Sequence, residues 1–124
     1  MSDNIVVNKS YAFALRIISI YRELSINKKE YVLSKQLLRS GTSIGANIEE
    51  SIGGQSEKDF YSKLSIAYKE ARETGYWIRL LTDSHLLNCQ ESKSLLNDCD
   101  ELIRIIGKIL STIRHKGVFS NSKL

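Results

Sequence analysis

An all-α fold, an up-down-up-down antiparallel four-helix bundle, is what this sequence predicts. Three observations carry the prediction. The 124 residues contain no proline, the residue that interrupts helix interiors. Four stretches repeat apolar side chains at alternating spacings of about three and four residues. The links between them are short, which makes consecutive helices antiparallel neighbours. Heptad-like spacing in adjacent helices also favours near-antiparallel, left-handed packing.

The first helix is expected over roughly residues 6–25, with Phe13, Ile17, Ile20 and Leu24 on one stripe. Ser25 to Lys29 reads as a short polar connection. The second helix is expected over roughly 30–52, with Leu33, Leu37, Gly41, Ile44 and Ile48 facing inward. Gly53-Gly54-Gln55 supplies a turn, and Ser56 with Asp59 has the form of a capping box. The third helix then covers roughly 57–84, through Phe60, Leu64, Ala67, Ala71, Thr74, Ile78 and Leu81. Asn88 with Glu91 repeats the cap before a fourth helix over roughly 89–116. Its stripe is Leu95, Cys99, Leu102, Ile106, Ile109 and Ile113. Gly117 suits a left-handed C-cap with Val118 or Phe119 folding back, and residues 118–124 read as a frayed tail. The length corresponds to one domain, 1–124.

Composition narrows the function classes. Hydrophobic residues at 42% and charged residues at 26% describe a soluble globular protein rather than a disordered or membrane chain. No stretch approaches the ~18 apolar residues of a membrane span, and no basic segment followed by an apolar run suggests a signal peptide. A cytoplasmic location is therefore expected. The net charge of +4 permits contact with nucleic acid without demanding it. Cys89 and Cys99 lack the paired spacing of a zinc site and read as buried, reduced thiols. No metal, cofactor or catalytic constellation is expected.

The helix faces hold the candidate sites. Arg39, Ser43, Asn47 and Glu50 form a polar stripe on the second helix, opposite Leu37, Ile44 and Ile48. A solvated face is one reading. Ser and Asn compete with helical hydrogen bonding, however, so contact with a neighbouring helix or subunit is the other. Gly41 and Gly45 each cost about 1 kcal/mol in a helix interior, which close backbone approach to a neighbour would offset. Lys28 and Lys29 precede this helix and Glu49 and Glu50 end it, against its dipole. The third helix carries surplus apolar groups outside its stripe: Tyr61, Ile66, Tyr68, Tyr76, Trp77 and Leu80. Burial on more than one side, by self-association, would account for them. Lys58, Lys69, Arg72, Tyr76 and Arg79 form a second arc, suited to a phosphate backbone and to base stacking. Five basic and five acidic residues on that helix suggest a weak mean field.

The segment from Ser34 to Leu81 resembles the signature of the bacterial four-helix-bundle family named after 23S rRNA intervening sequences. The resemblance rests on Arg39, Ser43-Ile44, Asn47-Ile48, Glu50-Ser51, Ser56 and Asp59-Phe60, followed by Leu64, Ile66-Ala67 and Glu73. Ser51 stands where many members have Gly, and Gly54-Gln55 where many have Arg. The family name reflects the place of some genes inside ribosomal RNA inserts. The resemblance implies the same bundle, a homopentameric ring, and kinship with the accessory protein of diversity-generating retroelements, which works with a reverse transcriptase and nucleic acid.

One enzymatic feature competes. Arg79 and His85, separated by five residues, resemble the Arg–His element of HEPN ribonucleases. A histidine for proton transfer and an arginine for phosphate charge is the chemistry required. Two residues are a short motif, and His85 also shares the heptad phase of Phe60 and Ile78 near a helix end. The reading is therefore a non-enzymatic, oligomeric binding or scaffold protein engaging structured RNA or an RNA–protein complex, with DNA also admissible. The alternative is a protein-only adaptor, and then the ribonuclease.

Overall fold

Four helices form, in chain order: α1 over Ser2–Arg22, α2 over Leu33–Ile52, α3 over Glu57–Asp83 and α4 over Cys89–His115. The computed structural model describes residues 2–116, of which residues 2–4 as backbone only. The expected cap at Gly117, the fold-back of Val118 or Phe119 and the tail 118–124 lie outside the described residues.

Cross-helix contacts establish the antiparallel order. Ile17 meets Gly41 and Ser10 meets Gly45 between α1 and α2. Arg39 reaches Glu73, and Glu50 reaches Lys63, between α2 and α3. Tyr61 meets Arg114, and Tyr68 meets Gly107, between α3 and α4. Lys9–Glu101 at 3.1 Å and Arg16–Asp98 at 2.7 Å close the ring between α4 and α1. In each pair one number rises as its partner falls, so the up-down-up-down bundle is observed.

The predicted stripes make the core. Phe13, Ile17, Leu24, Leu37, Ile44, Ile48, Leu64, Ile78, Leu81, Leu95, Leu102 and Ile106 are all fully buried. Each such side chain contributes roughly 1.5–3 kcal/mol relative to exposure. Leu33 and Phe60 are only partly buried and pack against that core. On α4 the stripe drifts at its end: Leu110 is buried, while Ile109 and Ile113 are half-exposed. A straight helix slips about 20° per heptad against a strict repeat, which moves the inward position by one residue.

Three boundaries differ from expectation, the first being that α1 already begins at Ser2 rather than near residue 6. The first helix does not stop at a polar link. It runs into a π turn over Glu23–Asn27, closed by Lys28 N–H on Glu23 O. The wider turn brings Ser25 inward beside Leu24, and Ser25 Oγ donates to Tyr21 O. The second helix starts at Leu33, not at residue 30. Glu30 stands before it and caps it, accepting N–H groups of Val32, Leu33 and Ser34 at 2.7–3.1 Å. Burial pushes the Glu30 carboxyl up, but these three donors and the Ser34 hydroxyl together hold it below its ordinary range. The apparent conflict with the helix dipole at this end is thus resolved by one carboxylate.

Both expected caps form: Ser56 Oγ accepts from Asp59 N–H at 3.1 Å and Asn88 Oδ1 from Glu91 N–H at 2.7 Å. Gly41 and Gly45 do serve close approach, but within the chain. A Cβ on Gly41 would lie 2.7 Å from Ile17 Cγ1, and one on Gly45 would lie 3.4 Å from Ser10 O. They therefore carry α1 and are not evidence for a subunit contact. Among the described residues, no helix is long and apolar enough to cross a membrane.

Candidate functional site

The polar stripe of α2 borders α3 and is used there. Arg39 Nη2 donates to Glu73 Oε2 at 2.6 Å, and Nη1 to Glu70 Oε1 at 3.2 Å. Glu73 Oε2 also accepts the indole N–H of Trp77 at 2.9 Å. The Arg39 guanidinium and that indole hold the Glu73 carboxyl below its ordinary range. Glu73 and Glu70 in turn raise the pKa of Arg39. At the other end Glu50 pairs with Lys63 at 2.9 Å. Ser43 Oγ and Asn47 Nδ2 fold back onto the carbonyls of Arg39 and Ser43. Behind them Thr74 Oγ1 lies 2.9 Å from Ser40 Oγ, both residues fully buried. Within the chain, Arg39 and Glu50 remain exposed, and Ser43 and Asn47 are half-buried.

The surplus apolar groups of α3 divide. Tyr61, Tyr68 and Trp77 are partly buried and pack on the core. Ile66, Tyr76 and Leu80 remain exposed, at 38%, 48% and 36%.

This packing sorts the charges of α3. Glu70 and Glu73 turn to Arg39, and Asp59 accepts Gln55 N–H at 3.2 Å. Lys58, Lys69, Arg72 and Arg79 are exposed, with no ion-pair partner among the described residues. Lys69, Arg72, Tyr76 and Arg79 follow one another at spacings of three, four and three along the outer line of the helix. The Arg79 guanidinium lies 6.0 Å from the Tyr76 ring centroid, and Tyr76 stands edge-on to Trp77 at 5.1 Å. The two mid-helix acids, Glu70 and Glu73, are held on the α2 flank, away from Lys69 and Arg72. Lys63 pairs with Glu50 on the α2 flank, and Glu57 and Asp83, near the two ends of the helix, are exposed.

The α3–α4 seam extends the basic flank. Arg114 Nη1 donates to Tyr61 Oη at 2.7 Å. Tyr68 packs over Gly107, where a Cβ would come within 3.3 Å of its Cε1. A groove of about 250 Å3 opens there, lined by Ser65, Tyr68, Lys69, Gly107, Leu110 and Arg114. Sequence reading missed this feature. The available signal was Gly107 itself, an unfavourable residue in mid-helix.

Arg79 and His85 each bond locally. Arg79 Nε donates to its own helix, at Gly75 O. His85 lies beyond α3, exposed, with φ at 66°. Its N–H bonds Thr82 O, and Leu86 N–H bonds Leu81 O at 2.9 Å. That is a Schellman motif with His85 at the left-handed position. His85 is therefore a helix terminator and not a continuation of the heptad. No hydrogen bond joins Arg79 to His85. Among the described residues, no group of His, Cys, Asp and Glu is placed to hold a metal. Cys99 is buried, donates to Ala71 O, and has its pKa pushed up to about 12 by burial and by Asp100 and Asp98. Cys89 is exposed, contrary to the expectation of two buried thiols.

No curated protein matches the chain. Among solved structures, it is similar to a crystal structure from Bacteroides thetaiotaomicron VPI-5482, a protein described as of unknown function from the S23 ribosomal protein family. The two are 47% identical with a TM-score of 0.88, over 90% of this chain and 99% of that one. The family described as "23S rRNA-intervening sequence protein" matches residues 2–108, the whole of the bundle up to the last turns of α4. By that match and by its four-helix fold, the chain belongs to the 23S rRNA-intervening sequence protein family.

Proposed function

We propose that this protein is a non-enzymatic, oligomeric binding or scaffold protein of the cytoplasm that engages structured RNA or an RNA–protein complex. One observation carries the reading: the mid-helix carboxylates of α3 are bound to Arg39, which leaves Lys69, Arg72 and Arg79 unpaired on the outer face beside Tyr76. Unpaired cations interleaved with tyrosine suit phosphates and exposed bases. Exposed Ile66 and Leu80 suit burial by further copies, and the family resemblance implies five. A ring would repeat the basic flank and convert weak single contacts into avidity.

The test is the salt dependence of RNA binding. The logarithm of affinity should fall linearly with the logarithm of salt concentration, and Arg72→Ala should reduce the slope by about one unit. Sedimentation should give a mass several times 14.1 kDa. Salt-independent binding, or a monomer at every concentration, overturns the proposal. The protein-only adaptor keeps one specific support: Tyr11 and Leu15, one turn apart on α1, are 69% and 55% exposed. A partner polypeptide lost on Leu15→Asp, with RNA binding absent, would favour that reading.

A further inference from the structure

We infer that the groove between α3 and α4 over Gly107 is a seat for one unstacked nucleotide, so that the protein grips unpaired segments of RNA in preference to duplex. The inference rests on the RNA-binding reading above and adds where and in what form the RNA is held.

Three features of the groove agree. Its size is the first. At about 250 Å3 it falls below the roughly 300–1,000 Å3 of pockets for drug-sized ligands, so it suits a fragment of a polymer more than a free cofactor. Its wall chemistry is the second. Tyr68 offers an aromatic surface, and Lys69 and Arg114 are cations on opposite helices. The Arg114 side chain is held by its hydrogen bond to Tyr61 Oη, with guanidinium N–H groups to spare. Aromatic surface with flanking cations is the chemistry by which proteins hold single strands, the base against the ring and the phosphate on the cations. Its setting is the third. Lys69, which lines the groove, is also the first of the exposed cations Lys69, Arg72 and Arg79 along α3, so a strand running along the helix from the groove meets further cations. The nearest acids of α3, Glu70 and Glu73, face the other way, toward Arg39.

A duplex cannot use such a groove, because its bases are stacked and only its backbone is available. Duplex RNA would feel the cations alone. The two components therefore separate by substitution. Tyr68→Leu removes the aromatic ring and keeps an apolar packing group. Ser65→Leu fills the groove and alters no charge.

The probes are a 12-nucleotide oligouridylate and a blunt 12-base-pair RNA duplex, each binding the full chain. Thermal unfolding verifies that both variants fold. Each variant should weaken oligouridylate binding by roughly tenfold, the loss of one base–aromatic stack. Duplex binding should change less than twofold, and the salt slope for both probes should stay constant. Parent protein that binds both probes with steep salt dependence, and variants that bind them equally well, would overturn the groove and leave the RNA reading standing. Parent protein that binds neither probe would overturn both. Equal weakening for strand and duplex would also overturn the groove, because the substitutions would then act through the fold. If Tyr68→Leu unfolds, Ser65→Leu alone decides by the same criteria.

Discussion

The two flanks of α3 are built from one helix with five acids and five bases, yet they do opposite things. On the flank toward α2, Glu70, Glu73 and Lys63 are paired across the seam, and a buried Ser40–Thr74 contact lies beneath them. On the flank toward α4, Lys69 and Arg72 have no carboxylate, and the seam is held by Tyr68 on Gly107 and by Cys99 on Ala71. The first flank spends charge on holding two helices together. The second keeps charge available. Net charge per helix cannot distinguish these flanks. What separates them is one arginine on a different helix, Arg39, which collects both mid-helix acids.

The most direct way to break the contrast is Arg39→Ala. It strands Glu70 and Glu73 as like charges three residues apart and leaves the Glu73 carboxylate with the Trp77 indole as its remaining side-chain donor. The pair is half-exposed, so screening limits the cost to about 1 kcal/mol, at the upper end for surface ion pairs. For a chain of this size that is roughly 3–5 °C in melting temperature. RNA binding should keep its salt slope, because no phosphate contact is removed. A slope lower by a full unit would place Arg39 on the binding face and erase the distinction between the flanks.

Acid sharpens the same contrast by a smaller amount. Glu73 has its folded pKa held below the ordinary value of 4.5, chiefly by Arg39 and then by Trp77. A depressed carboxylate stabilises the fold fully above its unfolded pKa and loses that contribution as pH falls through the folded value. The parent protein should therefore lose stability below about pH 4.5, and Arg39→Ala should lose less over the same interval. Glu30, held low by backbone donors at the start of α2, contributes a similar loss to both proteins. Melting curves of parent and variant that stay parallel from pH 6 to pH 3 would show that the ion pair contributes nothing.

How much of this was legible in the sequence follows from how local each feature is. Stripes such as Phe13, Ile17, Ile20 and Leu24 announce a buried face through spacing alone, and they are buried. Ser56 and Asn88 announce caps through residues three positions away. The misses needed distant information. Glu30 reads as a helical residue until its carboxylate is seen to accept three N–H groups. Gly41 and Gly45 announce a close neighbour but not its identity, and that neighbour is α1, through Ile17 and Ser10. The basic arc could be listed from α3 alone, whereas the pairing of Glu70 and Glu73 away from it depended on Arg39 of α2. The groove depended on α4, because Gly107 and Arg114 complete it.

The smallest expected effect concerns the point where both flanks of α3 end. His85 takes a left-handed conformation, at φ 66°, to turn the chain toward α4. A side chain there costs roughly 1–2 kcal/mol relative to the right-handed region. Glycine escapes that cost but loses more freedom on folding, by roughly 0.5–1 kcal/mol. His85→Gly should therefore stabilise the protein by about 0.5–1 kcal/mol, visible as a small rise in melting temperature. RNA binding should be unchanged, since Arg79 acts from the basic flank and owes nothing to the imidazole. The same variant tests the rival chemistry. If purified parent protein cleaves RNA and His85→Gly abolishes the cleavage, Arg79 belongs to a nuclease pair and the unpaired flank is an active site. A more stable variant with the same RNA affinity keeps Arg79 where the packing of α3 leaves it, among exposed cations outside the ion pairs of the α2 seam.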